Sequence, residues 1–554
     1  MLQEWKHEHL PDYLLEYIYL LLEEEEKTFP CFRGVYKNSD LTQRHVDVYA
    51  HCILRLLSAP YRFRDPGQGI RVPLYQLWGY EWEALENIQF DPSDTGMQVQ
   101  SYPKGLWRKI LELPVYVRFR WKDRFKHTWI LGGTGAGKTV LLQQLISYDV
   151  QTKASVIVID SGGDLIDKLK NSKLIHSNKL VLIDPVDSIQ HPLALNMFDV
   201  DLDLNDPVMY ERQVNNVVDQ LSFIFSSILD SDLTGKQNIV LEFCCGLMVR
   251  TKGATVKTFL QLLRKTNWSD LAEYHDIIKT MPDSAQEFFE TAYPESSRVR
   301  NEYSATKGEV HRRLLSLLSN PTISRLFTSP VSRLDIGKEM DKGKIILINT
   351  DISLLGERGT AFLGRFFISQ ISQATLNRLN IPEEKRRPVF VYIDECGDYL
   401  QTEDSKVKIL LDKARKYKVG MTLAHQRRSQ LQPGVYNAIK SNTVIQMVGS
   451  PEPGEVNTLL RDLRVEHVPS NPGRFATYIK GSRLGMHIRS RMGIIEDGPQ
   501  RSEDELENVI RENRARYCVG NYKPPEKPKI EQKEVKSDEP SDTPNDDIES
   551  FNTL

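Results

Sequence analysis

The residues best placed to do chemistry form the run Gly132-Gly133-Thr134-Gly135-Ala136-Gly137-Lys138-Thr139, which has the form G-x-x-x-x-G-K-[ST]. It follows the apolar stretch Thr128 to Leu131 and precedes a helical pattern from Val140 to Ile146. Strand, glycine loop and helix in that order make a phosphate site. Glycines let successive backbone N–H groups turn inward toward phosphate oxygens, and the helix N-terminus adds partial positive charge. The phosphate-binding set is Gly132, Gly133, Thr134, Gly135, Ala136, Gly137, Lys138, Thr139 and Val140. Lys138 is expected to reach the β- and γ-phosphates and Thr139 to ligate Mg²⁺. A dinucleotide fingerprint is excluded by the Lys-Thr ending.

A second acidic motif completes the reaction. Pro388-Val389-Phe390-Val391-Tyr392-Ile393-Asp394-Glu395 reads as a buried central strand ending in two carboxylates. Asp394 is expected in the Mg²⁺ shell and Glu395 beside the attacking water. Together the motifs describe a nucleoside-triphosphatase that works mainly by positioning and charge stabilisation. With no NKxD guanine motif in the chain, ATP is the expected nucleotide. Thr139 and Asp394 stand about 255 positions apart, much farther than in small GTPases or AAA+ modules, so extra strands and a helical insertion must intervene.

A third block runs from Ala414 to Gln426 as a helix end, a tight turn and a strand closing on Gln. Gln426 is placed to sense the γ-phosphate or the water. Arg415 falls one strand length away, at the other end of the sheet, where it cannot readily serve its own chain's nucleotide. It suits a neighbour's site, as an arginine finger across a ring interface; the alternative is a surface arginine capping a helix C-terminus.

These residues must be carried by a parallel α/β sheet, because strands alternate with helices. Ser155 to Asp160 and Leu180 to Asp184 repeat the apolar strand ending in acid, and Lys344 to Asn349 resumes the series. Helical patterns at Val214–Ile228, Ile239–Val249, Val256–Leu263 and Val310–Leu318 fill the gap. Later elements are a helix over Thr360–Leu379, a helix over Val407–Tyr417, strands at Val419–Ala424 and Thr443–Val448, and a closing hairpin of Phe475–Ile479 with Met486–Arg491. The expected organisation is a mostly helical N-terminal domain over 1–98, a RecA-like P-loop NTPase sheet in two parts over 99–200 and 336–522, an all-helical insertion over 201–335, and a disordered acidic tail over 523–554. The tail is read either as a solubilising segment or as a docking segment for a protein partner.

With 554 residues and 27% charged, the chain is expected to be soluble and multidomain. Its formal net charge of −3 excludes a wholly basic nucleic-acid binder but not a ring with a basic lumen. Six cysteines without a CxxC pair suggest reduced thiols in a cytoplasmic protein. The most membrane-like stretch, Tyr13 to Leu22, is interrupted by Glu16 and is too short to span a bilayer, so no transmembrane segment is expected.

The combination GGTGAGKT, VIVIDSGGDL, GKIILINTDIS, VFVYIDECGDYL and ARKYKVGMTLAHQRRSQL resembles the FtsK/HerA branch of motor ATPases. Within that branch the chain most resembles type IV coupling proteins of the TraD/TraG kind over roughly 125–480. The resemblance implies a homo-hexameric, ATP-driven pump for DNA in conjugative transfer, with Arg415 acting in trans and Gln426 as sensor. It implies partners of the relaxase or relaxosome kind and secretion-channel proteins. Members usually carry two N-terminal transmembrane helices, and this chain departs from them there. The expected location is therefore cytoplasmic, or peripheral at the inner membrane face through partners. Two other readings stand beside it: a HerA-like motor for DNA processing or defence, and a nucleotide-gated recruitment or assembly ATPase that does not pump DNA. Candidate DNA contacts are Lys307, Arg312, Arg313, Arg427 and Arg428.

Overall fold

The computed structural model describes residues 68–73, 114–200, 202, 205–226, 234–295, 302–400, 411–482, 485–520 and 522. The stretch Tyr13–Leu22 and the acidic tail lie outside these residues.

Among the described residues eleven strands form one sheet: β1 (Gln68–Pro73), β2 (Pro114–Phe119), β3 (Thr128–Gly132), β4 (Ser155–Asp160), β5 (Leu180–Ile183), β6 (Ile345–Asn349), β7 (Val389–Ile393), β8 (Val419–His425), β9 (Ile445–Gly449), β10 (Arg474–Ile479) and β11 (Met486–Arg489). Their order is β2-β1-β11-β10-β9-β3-β8-β7-β4-β6-β5. Pairing from β9 to β5 is parallel throughout. From β9 outward through β10, β11, β1 and β2 it is antiparallel. β1 lies within the stretch read as helical from sequence, yet it joins this sheet.

The parallel strands are apolar along their whole length because both faces are covered. On β4, Val156 and Val158 face one core while Ile157 and Ile159 face the other. The first core is closed by α1 (Lys138–Asp149), through Leu141, Leu142, Leu145 and Ile146, and by α2 (Asp164–Asn171), through Leu165, Ile166 and Leu169. The second is closed by a helical layer.

That layer comprises α3 (Pro207–Ser226), α4 (Gly235–Arg250), α5 (Val256–Arg264), α6 (Asp283–Ala292), α7 (Ser304–Leu318), α8 (Pro321–Leu326) and α9 (Ile336–Asp341). Its starts are written in the sequence. Thr234 and Gln237 form a reciprocal capping box before α4, Thr255 and Thr258 do the same before α5, and Asn320 caps α8 with Pro321 in its first turn. Phe225 stacks on Phe259 within it, and Phe198 packs on Phe259 at a tilt. The layer shares one continuous core with the sheet face, bridged by α10 (Ile352–Asn377), whose first turn kinks at Gly356.

Among the described residues three further helices lie after β8: α11 (Pro433–Asn442), α12 (Val456–Leu463) and α13 (Glu503–Tyr517). The sequence reading contained none of these three, nor α2, α6, α8 or α9. α13 seals the β5 edge, where Asn513 Oδ1 accepts the Leu182 N–H at 2.9 Å. No helix among the described residues is long and apolar enough to cross a membrane.

Candidate nucleotide site

The parallel strands end together on one side of the sheet, and the site is built there. β3 lies between β8 and β9, and β7 follows β8. The order therefore sets the glycine loop after β3 beside Gln426 at the end of β8 and Asp394-Glu395 at the end of β7. Residues 426 and 394 lie in succession on one side of the P-loop only because the chain returns to the centre of the sheet after the helical layer.

The loop adopts its conformation for steric reasons. Gly137 caps α1 with φ 88°, and a Cβ there would lie 2.8 Å from the Gly473 nitrogen. The Gly473 N–H in turn donates to the Ala136 carbonyl at 2.8 Å. A Cβ on Gly133 would meet the Ser450 carbonyl oxygen at 2.5 Å. Loops after β9 and before β10 thus buttress the P-loop from behind, leaving Thr134 and Gly135 exposed.

Lys138 is buried and pairs with Glu395, Nζ to Oε1, at 2.8 Å. The same oxygen accepts from Gln426 Nε2 at 2.8 Å, and Gln426 Oε1 accepts from Thr134 Oγ1 at 3.2 Å. Lys138, Glu395, Gln426 and Thr134 therefore form one chain of polar contacts. Glu395 Oε2 is buried without a hydrogen-bond partner. Glu395 also sits in the left-handed region at φ 49°, an uncommon place for a residue with a side chain. Such a backbone turns its carboxylate back over the strand end.

Asp394 is buried, and among the described residues it has no ion-pair partner. Burial, then the nearby Asp160 carboxylate, push its pKa up to about 7 against the partial relief of Lys138. Asp160 is raised as well, mainly by burial, although it accepts the Gly162 N–H at 2.9 Å and the Leu165 N–H at 3.1 Å. A second layer holds the acid turn: Ser161 Oγ donates to Asp398 at 2.6 Å. Asp160 was legible only as the end of a strand; its closeness to Asp394 follows from β4 pairing with β7.

Arg415 is exposed, in the turn Arg415–Tyr417 that leads into β8. The length of β8 separates it from Gln426 by roughly 20 Å, so it stands away from its own chain's P-loop. The turn is held from below: Arg386 donates to the Lys416 carbonyl at 2.8 Å and the buried Arg378 to the Tyr417 carbonyl at 3.0 Å.

One candidate contact is overturned. Lys307 is buried, donating to the carbonyls of Ala292 at 2.8 Å and Lys265 at 3.1 Å, with its ammonium 3.3 Å from the centre of the Tyr293 ring. Burial pulls its pKa down to about 8. It ties α5, α6 and α7 together and does not reach a ligand. Arg312 is exposed, while Arg313 pairs with Glu309 at 3.0 Å. Arg427 faces Glu452 at 3.5 Å, and Arg428 lies over the Tyr436 ring at 4.5 Å.

The family described as Type IV secretory system Conjugative DNA transfer matches residues 97–449, from ahead of β2 to the end of β9. The chain belongs to that family. As a member it is a P-loop coupling ATPase of conjugative type IV secretion, and the P-loop, both acidic strand ends and the helical layer all fall inside the matched span. Among solved structures it is similar to the plasmid coupling protein TrwB in complex with ADP and Mg²⁺, with 14% identity over 72% of this chain and 90% of that one and a TM-score of 0.49. TrwB with a non-hydrolysable GTP analogue gives 15% identity, 68% and 88% coverage and a TM-score of 0.48. VirB4 of Thermoanaerobacter pseudethanolicus gives 15% identity, 72% and 95% coverage and a TM-score of 0.44. No curated protein matches the chain.

Proposed function

We propose that this coupling protein binds ATP with Mg²⁺ and couples its hydrolysis to DNA translocation as a homo-hexamer. The observation that carries the reading is the shared Glu395 oxygen, which Lys138 and Gln426 both contact at 2.8 Å. A residue that senses phosphate, a residue that binds it and a base for water meet at one atom.

The residues fit a divalent cation with a nucleotide. Asp394 is a carboxylate pushed up to about 7 by burial and by the neighbouring Asp160, and Thr139 lies in the first turn of α1 at the loop's end. Those two side chains would hold the ion. When bound, Mg²⁺ supplies charge neutralisation at the β- and γ-phosphate oxygens. The chain's own groups do the rest. Lys138 exchanges its Glu395 partner for phosphate oxygen. Glu395, released from that pair, accepts a proton from the attacking water at a carboxylate oxygen, and Gln426 orients that water. Water oxygen bonds to the γ-phosphorus as the bond to ADP breaks, giving ADP and phosphate.

Arg415 serves the neighbouring subunit's site in this reading, since it stands at the far end of β8 from its own. The segment 523–554 is a docking segment for a basic protein partner, and relaxosome and channel proteins are the binding partners. The test is the ATPase rate with and without single- and double-stranded DNA, alongside particle mass. DNA-stimulated turnover by hexamers is expected; turnover indifferent to DNA overturns the pumping reading. Arg415→Ala is expected to bind ATP but lose about 10³-fold or more in turnover. Mixing Arg415→Ala with Lys138→Ala chains should return part of the activity, because some interfaces then join an intact P-loop to an intact arginine. Unchanged turnover by Arg415→Ala in hexamers removes it from the site.

A further inference from the structure

Gln426 is useful as a sensor only if its amide is held still, and its own side chain is engaged at both ends by Glu395 and Thr134. Something else must fix the backbone that carries it. β8 ends at His425, so residues 426 and 427 have left the sheet and their N–H groups have no ladder partner. A single atom takes both: Gln430 Oε1 accepts from the Gln426 N–H at 2.9 Å and from the Arg427 N–H at 2.9 Å.

The same side chain lies against the acid turn. A Cβ built on Gly397 would fall 3.0 Å from Gln430 Cβ and within 3.7 Å of its Cγ and Cδ. Gly397 follows Asp394, Glu395 and Cys396, so the stem of Gln430 packs on the turn that carries the water-activating carboxylate while its carbonyl holds the loop that carries the sensor. His425 secures the loop from the other side. Trp129 Nε1, which can only donate, bonds His425 Nε2 at 2.8 Å, so His425 Nδ1–H donates to the Arg427 carbonyl at 2.9 Å.

We infer that Gln430 is a positioning residue for hydrolysis, a crossbar that holds Gln426 in register with Glu395 through two backbone N–H groups and the space left by Gly397. The inference rests on the proposed role of Gln426. Gln430 is half-buried, and its one oxygen serves two donors that have no ladder partner, so its loss releases the loop that carries them. The sensor amide then drifts from the geometry that hydrolysis needs, whereas the P-loop, buttressed by the Gly473 and Ser450 loops, keeps its shape.

The experiment measures steady-state ATPase and nucleotide affinity of the full chain for Gln430→Met, Gln430→Glu, Gly397→Ala and Gln426→Ala. Gln430→Met keeps length and packing but has no acceptor; its kcat is expected to fall by about 10- to 100-fold with nucleotide affinity within about 2-fold of the parent. Gln430→Glu retains an acceptor oxygen and is expected to recover most of that loss. Gly397→Ala, which touches neither hydrogen bond but displaces the stem, is expected to lower kcat in the same sense. Wild-type kcat in Gln430→Met, or a Gln430→Glu variant as slow as Gln430→Met, overturns the crossbar while a slow Gln426→Ala leaves the sensor role standing. A Gln426→Ala variant with full turnover overturns the sensor role and the crossbar with it.

Discussion

Beneath the C-terminus of α1, at the entry to β3, Asp149 is held by both terminal nitrogens of Arg124 at 2.7 and 2.5 Å and by the Tyr392 hydroxyl at 2.6 Å. Arg124 in turn lies 3.5 Å over the Phe390 ring. At the opposite end of the same strands, Asp394 is equally buried, has Asp160 for a neighbour and forms no ion pair among the described residues. Both regions bury carboxylate in the same sheet. The first satisfies every charge internally and fastens α1 to β7. The second leaves charge unmatched, with an orphaned Glu395 oxygen and a strained backbone beside it. Internal satisfaction marks a structural cluster, and unsatisfied buried charge marks the place where a ligand completes the electrostatics.

Breaking the ligand end should cost activity and spare the fold. Glu395→Gln removes the proton acceptor while keeping shape. We expect ATP to bind and turnover to fall by about 10³-fold, measured by single-turnover hydrolysis beside thermal unfolding. Near wild-type turnover would show that another group activates the water.

Breaking the structural end should do the reverse. Arg124→Met leaves Asp149 buried without its cation, a loss on the order of 3–5 kcal/mol of stability. Denaturant unfolding reads it directly, and the protein that remains folded should hydrolyse ATP at the parent rate. Equal stability with impaired hydrolysis would make this cluster part of the site.

The finest test lies in pH. In the nucleotide-free protein Asp394 keeps its proton up to about 7, against an ordinary carboxylate value of 3.8 in the unfolded chain. Folding therefore takes up a proton between those values, and the group's contribution to stability is lost as the pH rises through that window. Asp394→Asn abolishes the penalty. It should raise the melting temperature at pH 8 on the order of a few degrees and leave it unchanged near pH 4. The wild type should likewise bind nucleotide with Mg²⁺ more tightly as the pH rises through about 7, which calorimetry in buffers of differing ionisation enthalpy would follow. A melting gain for Asp394→Asn that is the same at pH 4 and pH 8 would sever the link between Asp394 and the window.

The parallel strands, the glycine loop and the acids are legible in the sequence, whereas β1 is not. Runs such as Ser155–Asp160 and Val389–Ile393 are short, β-branched and apolar enough to be buried on both faces of a sheet, and each is closed or followed by a carboxylate at the strand end. A glycine loop ending in Lys-Thr states its chemistry locally, because its backbone angles and its cation both come from adjacent residues. Helix starts are equally local in cause, in caps such as Thr234 and Thr255, although the apolar periodicity by itself began the first of these helices only at Ile239.

Tertiary structure alone decided which of these meet. No local pattern says that β3 slots between β8 and β9, or that β1 closes on β11 far from it in sequence. The sequence held Lys307 as a positive charge available to DNA; three helices folding around it turned it into a buried donor to two carbonyls. The sequence likewise held Gln430 as one polar residue in a polar loop. Its meaning arises because strand order puts the end of β8 against the turn after β7, where Gly397 leaves room for its stem and two N–H groups need its oxygen. Secondary structure follows from interactions a few residues apart, whereas hydrogen-bond satisfaction and charge balance depend on neighbours that long-range strand pairing supplies.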